Sequence, residues 1–326
     1  MDKNKAKQLL EKAYENLDVN LLKEAIALGA DVNQLDKCGE ETLFEEMVCE
    51  FGCSAAWGER DERYLGDNLI EFTDVLLENG LDLNHYYHDG LETVSTFHEV
   101  SRWGHNKRFL EYLLQHGMDP NIIGEDDCHT AWEELDEDIF LEECCGYPNY
   151  AAWFYNAGRL AIGYGAKPIC ILRPEKDERP LEMVEAARNL DCDKLKEISG
   201  DDMVKYELGR ECTYYSKFVN GHEFYFNGKE FDRRLSKALD VIIDKIGVQN
   251  LEKHALLDCV EGQFPQTLEH LLERGANPNT NCFTKSYSWV KSSALYELDR
   301  RGSYIEDQFI ANAMREALVN RGAVIK

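Results

Sequence analysis

Two short stretches hold residue types that could bind a metal ion. His85, His88 and Asp89 lie in one loop, and Asp126, Asp127, Cys128 and His129 lie in the corresponding loop of the next copy of a repeated segment. Imidazole, thiolate and carboxylate donors brought together from adjacent loops would suit a metal, and a metal-bound water would make the His85/His129 region a metal-dependent hydrolase. The spacings argue otherwise. There is no Cys-x-x-Cys or zinc-ribbon pattern; Cys49 and Cys53 fall four apart on an expected helix, and Cys144 and Cys145 are adjacent. Histidines in turns also serve as plain hydrogen-bonding groups. The chain has no Gly-x-Gly-x-x-Gly opening a helix, no Gly-x-x-x-x-Gly-Lys-Ser/Thr, no Gly-x-Ser-x-Gly and no His-Glu-x-x-His. In so acidic a chain, adjacent carboxylates say little about acid or base catalysis. The expectation is a non-enzymatic protein without metal or cofactor, with the hydrolase as the alternative.

Charge is the stronger signal. Of 326 residues, 36 are basic and 62 acidic, and the net charge of −26 excludes nucleic acid as the default partner, because such a surface repels a polyanion. The first 150 residues hold 11 bases and 35 acids, whereas the remainder holds 25 and 27. From Glu125 to Glu143 there are ten acids and no base. Self-repulsion makes such density costly, so it suits a surface that steers and binds a basic protein. The residues expected to contact that partner are Asp82, Asp89, Glu125, Asp126, Asp127, Trp132, Glu133, Glu134, Asp136, Glu137 and Asp138. Trp132, inside the acidic cluster, is the tryptophan expected to be partly exposed as an anchor.

Such residues need elements to hold them, and these repeat. Leu21-Leu22-Lys23-Glu24-Ala25-Ile26-Ala27-Leu28-Gly29-Ala30-Asp31-Val32-Asn33 is echoed by Leu76-Leu77-Glu78-Asn79-Gly80-Leu81-Asp82-Leu83-Asn84. Further copies are Leu113-Leu114-Gln115-His116-Gly117-Met118-Asp119-Pro120-Asn121 and Leu271-Leu272-Glu273-Arg274-Gly275-Ala276-Asn277-Pro278-Asn279, with weaker ones over 161–168 and 318–324, around Gly165 and Gly322. Paired leucines close an amphipathic helix, glycine supplies a left-handed cap, and Asp or Asn turns the chain. Thr42, Thr93 and Thr130 are expected to cap the helices that follow. Residues 181–198 and 255–271 show helix-pair spacing without the full motif.

This pattern resembles the ankyrin repeat, in which Leu-Leu-x-x-Gly-Ala-Asp-Val-Asn ends the second helix and a threonine-containing turn opens the next first helix. The resemblance covers both ends and most of the middle. The glycines are 51, 37, 48, 110 and 47 residues apart, against about 33 in the family, so the repeats carry insertions, and no Thr-Pro-Leu-His is intact. The resemblance implies an all-α, ankyrin-like helical-repeat solenoid of about seven irregular helix pairs. It also implies recognition of another protein. With the acidity, that points to a module binding a basic partner, such as a nuclease toxin or nucleic-acid-binding protein, as an inhibitor or immunity protein occluding its nucleic-acid-binding surface.

Between Met203 and Phe231, eight aromatics surround Asn220-Gly221 and Asn227-Gly228. Asn-Gly flanked by alternating apolar residues is a strong hairpin signal, so a β-hairpin is expected near 212–228, its aromatics sealing the stack or projecting as contacts. The expected organisation is an acidic stack over 1–168, a proline-containing connector over 169–180 and a second stack over 181–326 with the aromatic insertion 203–231. No signal peptide or membrane span is evident, and eleven scattered cysteines read as reduced thiols, so a cytoplasmic protein is expected.

Overall fold

The computed structural model describes residues 3–35, 39–56, 67–89, 92–124, 127, 129–135, 148–280, 282–283, 291–302, 305 and 307–325. These are mostly helical, with two small antiparallel hairpins. The chain divides into two compact units, Met1–Ile169 and Cys170–Lys326.

In the first unit the helices form two packed rows. Lys3–Asn16 packs on Leu43–Ala56, which packs on Thr96–Trp103. The second row runs Val19–Ala27, Asp67–Glu78, Lys107–Gln115 and Pro148–Gly163. The second unit repeats the scheme. Cys192–Glu197, Gly228–Ile246, Pro265–Glu273 and Gln308–Asn320 pack in succession, and Ala255–Gly262 packs on Ala294–Arg301. Each amphipathic helix thus buries its apolar stripe against neighbours close in sequence.

Gly29, Gly80, Gly117, Gly165, Gly275 and Gly322 all have positive φ, between 85° and 99°. This left-handed turn lets the following amide reach back to the last helical turn, as in Leu81 N to Leu76 O at 3.0 Å and Ala276 N to Leu271 O at 2.9 Å. Four residues after the glycine stands an asparagine that ties one copy to the next. Asn33 Nδ2 donates to Gly80 O at 2.8 Å while its Oδ1 accepts from Asp82 N at 2.8 Å. Asn84 does the same to Gly117 O and Asp119 N, Asn121 to Gly165 O and Lys167 N, and Asn279 to Gly322 O and Val324 N. Each clasp is preset by a short turn in which the residue two before accepts from the asparagine's own amide, as Asp82 does from Asn84 at 2.9 Å. Ile169 occupies this position after Gly165, and the first unit ends there.

Helix starts differ in part from expectation. Thr42 and Thr130 form reciprocal caps with glutamates three residues on: Thr42 N donates to Glu45 at 2.8 Å and Glu45 N to Thr42 Oγ1 at 3.2 Å, and Thr130 and Glu133 repeat the exchange. Thr93 is not a cap. It lies in a strand, and Ser95 caps the helix, accepting from His98 N at 3.3 Å.

The β-hairpin expected near 212–228 is not formed. Those residues are helical: Leu208–Arg210, a π-helical turn Glu211–Tyr215, then Ser216–Val219, Gly221–Phe226 and Gly228–Ile246. Asn220 and Asn227 have φ of −104° and −137°, far from the positive values an Asn-Gly hairpin turn requires. Asn220 instead joins two helices, its Nδ2 donating to Arg188 O and Ser216 O at 2.9 Å. The aromatics pair at helical spacing or across helices, Tyr214 with Phe218 and Phe224 with Phe231 and Phe264, edge to face. Phe218, Phe224 and Phe231 are buried, while Phe226 is exposed. The real hairpins lie between the loop asparagine and the next cap: Tyr86–Asp89 with Glu92–Ser95, Cys282–Phe283 with Lys291–Ser292, and a single bridge between Leu35 and Thr42. The proline-containing stretch holds a helix, Ile169–Leu172, and a 3-10 turn, Pro174–Lys176.

Candidate partner-binding surface

Several carboxylates expected to face a partner are turned into the first unit. Asp127 accepts from Thr93 N at 3.1 Å and Gly124 N at 2.5 Å, tying the second hairpin strand to the following loop. Glu133 accepts from Thr130 N and also from Ile169 N at 3.0 Å. Glu134 lies 2.9 Å from His98 Nε2. Burial raises its carboxyl pKa, but the hydrogen bond and charge of His98, aided by Arg102 and His129, outweigh this and hold it below the usual value. Trp132 is buried at 7% exposure, and its Nε1 donates to Gly158 O at 3.1 Å. The expected exposed anchor is instead a helix-to-helix tie, because the indole N–H finds a carbonyl inside.

Asp82 is exposed but accepts from Asn84 N. Asp89 lies on a strand. Glu125, Asp126, Asp136, Glu137 and Asp138 lie outside the described residues.

A polar chain follows the helix starts. Glu45, 1% exposed, accepts from Thr42 and from Thr96 Oγ1 at 2.6 Å, and His85 Nδ1 lies 3.0 Å from it. The Tyr87 hydroxyl lies between Glu41 and Glu99, 3.3 and 3.1 Å away. Burial, then the two carboxylates, push this phenol's pKa well up. Burial also raises Glu99, opposed by the charge of His98. His85 is therefore engaged by Glu45, while His88 lies 3.4 Å from Thr93 Oγ1. Among the described residues, no group of three or more His, Cys, Asp or Glu side chains is arranged to hold a metal.

A groove of about 400 Å³ lies between Lys3–Asn16 and Leu43–Ala56. Tyr14, Leu43, Met47 and Phe51 form its buried apolar floor, and Leu35 is 38% exposed at its edge. Glu11, Glu15, Glu46 and Glu50 line it with, among the described residues, a single base, Lys7, which lies 3.9 Å from Glu11. The sequence reading missed this site. Its signal was Glu11/Glu15 and Glu46/Glu50, each four residues apart and so on one face of a helix. The arrangement can bind cations whose stems are apolar. No protein-family model matches the chain, and no curated protein matches it.

Proposed function

We propose that residues 1–169 are an ankyrin-like repeat module that binds a basic partner protein, and that the protein acts by this binding and not by catalysis. The observation that carries the reading is the charge imbalance, 35 acids to 11 bases in the first 150 residues. Support for the repeat assignment comes from the two helix rows, the glycine stops and the asparagine clasps. Stacked repeats present a broad surface and a row of loop tips, a geometry suited to protein recognition. In the inhibitory version, the carboxylates occupy the place of phosphates on a nuclease or other nucleic-acid-binding protein.

The test is capture from the source extract at low and high salt. The expected eluate is one basic protein, retained at low salt and released at high salt, whose nucleic-acid binding is lost when this chain is added. Capture insensitive to salt, or of an acidic protein, would overturn the reading.

A further inference from the structure

The groove between Lys3–Asn16 and Leu43–Ala56 combines three features. Glu15 and Glu46 line it and make no ion pair among the described residues, so its negative charge is not cancelled by Lys7. Its floor is apolar, with Leu35 accessible at one edge. Gln34 also lines it, and the Gln34 Nε2 donor is shut off from solvent with no hydrogen-bond partner among the described residues. A buried amide donor without an acceptor carries a cost that an incoming oxygen would relieve.

We infer that this groove is the docking site for a basic peptide segment of the partner, entering as arginine or lysine side chains; this deepens the function proposed above and rests on it. Carboxylates on both walls complement guanidinium or ammonium heads, and the floor complements their aliphatic stems. A peptide carbonyl supplies the acceptor that Gln34 lacks once its amide turns into the groove. A bare metal ion would leave the apolar floor unused, and a nucleic acid would be repelled. At about 400 Å³ the groove has the size of a small ligand site, with room for a few side chains but not for a folded face.

The probe is a short synthetic peptide of arginine and leucine, fluorescein-labelled, titrated with the full chain at low salt and followed by anisotropy. Reversing the groove charges with Glu15→Lys and Glu46→Lys is expected to weaken binding about 30-fold or more. The control pair, Glu71→Lys and Glu78→Lys, makes the same change in net charge on the exposed side of Asp67–Glu78. It should cost less than about threefold, because distant surface charges are screened. Thermal unfolding of each variant checks folding, and should the lysine pair unfold, Glu15→Gln with Glu46→Gln replaces it, with a loss of about fivefold expected. Equal losses in groove and control pairs would overturn the groove, leaving only a general field. If groove variants still capture the native basic partner in a salt-sensitive way and bind the peptide unchanged, the docking site is wrong and the proposed function stands. If the unaltered chain binds neither peptide nor partner, both are wrong.

Discussion

In residues 170–326, the buried carboxylates Glu211 and Glu297 meet guanidinium groups, whereas Asp232 and Asp258 meet hydroxyls and, at Asp232, backbone amides. Glu211 accepts from Arg179 Nη1 and Arg188 Nε, both at 2.6 Å, and Arg179 also holds Asp177 through two nitrogens. Glu297 accepts from Arg300 at 2.6 Å and lies 3.4 Å from Arg301 Nε. In residues 1–169, Glu45, Glu99, Glu133 and Asp127 meet hydroxyls, imidazole and backbone amides. Both units bury carboxylates in packed helices, but the acidic one draws on few bases. Neutral donors satisfy the hydrogen bonds of a carboxylate without cancelling its charge. The first unit therefore keeps its negative field, and the second cancels more of its own. That difference makes their responses to mutation, pH and salt diverge.

The sharpest way to break the comparison is to remove a carboxylate from each unit. Glu211→Ala leaves two guanidinium groups without their shared partner and should cost about 3–5 kcal/mol in urea unfolding. Glu45→Gln keeps most of its neutral donors satisfied, with an expected cost of about 1–2 kcal/mol. Equal costs would mean that the two units do not differ in how they hold buried charge.

In addition to Asp232 and Asp258, the second unit holds Glu252, a further carboxyl for which burial dominates. Its carboxyl is pushed up to about 7 by burial first, then by Glu207 and Asp258, against the opposing backbone amides of Glu252 and Arg210. Its Oε2 is buried with no hydrogen-bond partner. A carboxyl that binds its proton more tightly when folded contributes full stability below its unfolded pKa near 4.5 and loses it as pH rises to about 7. Glu252→Gln should abolish that decline. The variant should match the parent near pH 4 and exceed it by about 3 kcal/mol near pH 8, read from paired thermal melts. A constant offset across the range would remove Glu252 as the cause.

Salt separates the units in the intact chain. Screening should relieve self-repulsion in residues 1–169, raising hydrogen-exchange protection there by about 1 kcal/mol between low and high salt, with less than half of that in residues 170–326. Uniform protection would mean that the imbalance of charge is not felt by the fold.

The glycine stops were legible because positive φ is a local demand that glycine meets by itself. Two of the three threonine caps were legible for a similar reason, and the third could have been rejected: Thr42 and Thr130 have glutamate three residues later, whereas Thr93 has Thr96. The Asn-Gly signal misled because helix packing around Phe224, Phe231 and Phe264 overrides a turn preference of two residues. Charge was legible as a sum, but not its direction. Whether Asp127 or Trp132 faces solvent depends on Thr93, Gly124 and Gly158, and the groove joins Glu11 and Glu15 to Glu46 and Glu50 from separate helices.

The asparagine clasps give the smallest effect and a direct test of shared architecture. Asn84 in the first unit and Asn279 in the second make the same two bonds to neutral backbone groups, their turns set by Asp82 and Asn277 respectively. Alanine at either site should therefore cost a similar amount, about 1 kcal/mol, since each bond contributes modestly in contact with water. Because the clasp joins neutral groups, the loss should not vary with salt in either unit. A salt-dependent loss at Asn84 alone would mean that the negative field of the first unit acts on the repeat joint itself, so that charge and repeat packing are not independent there.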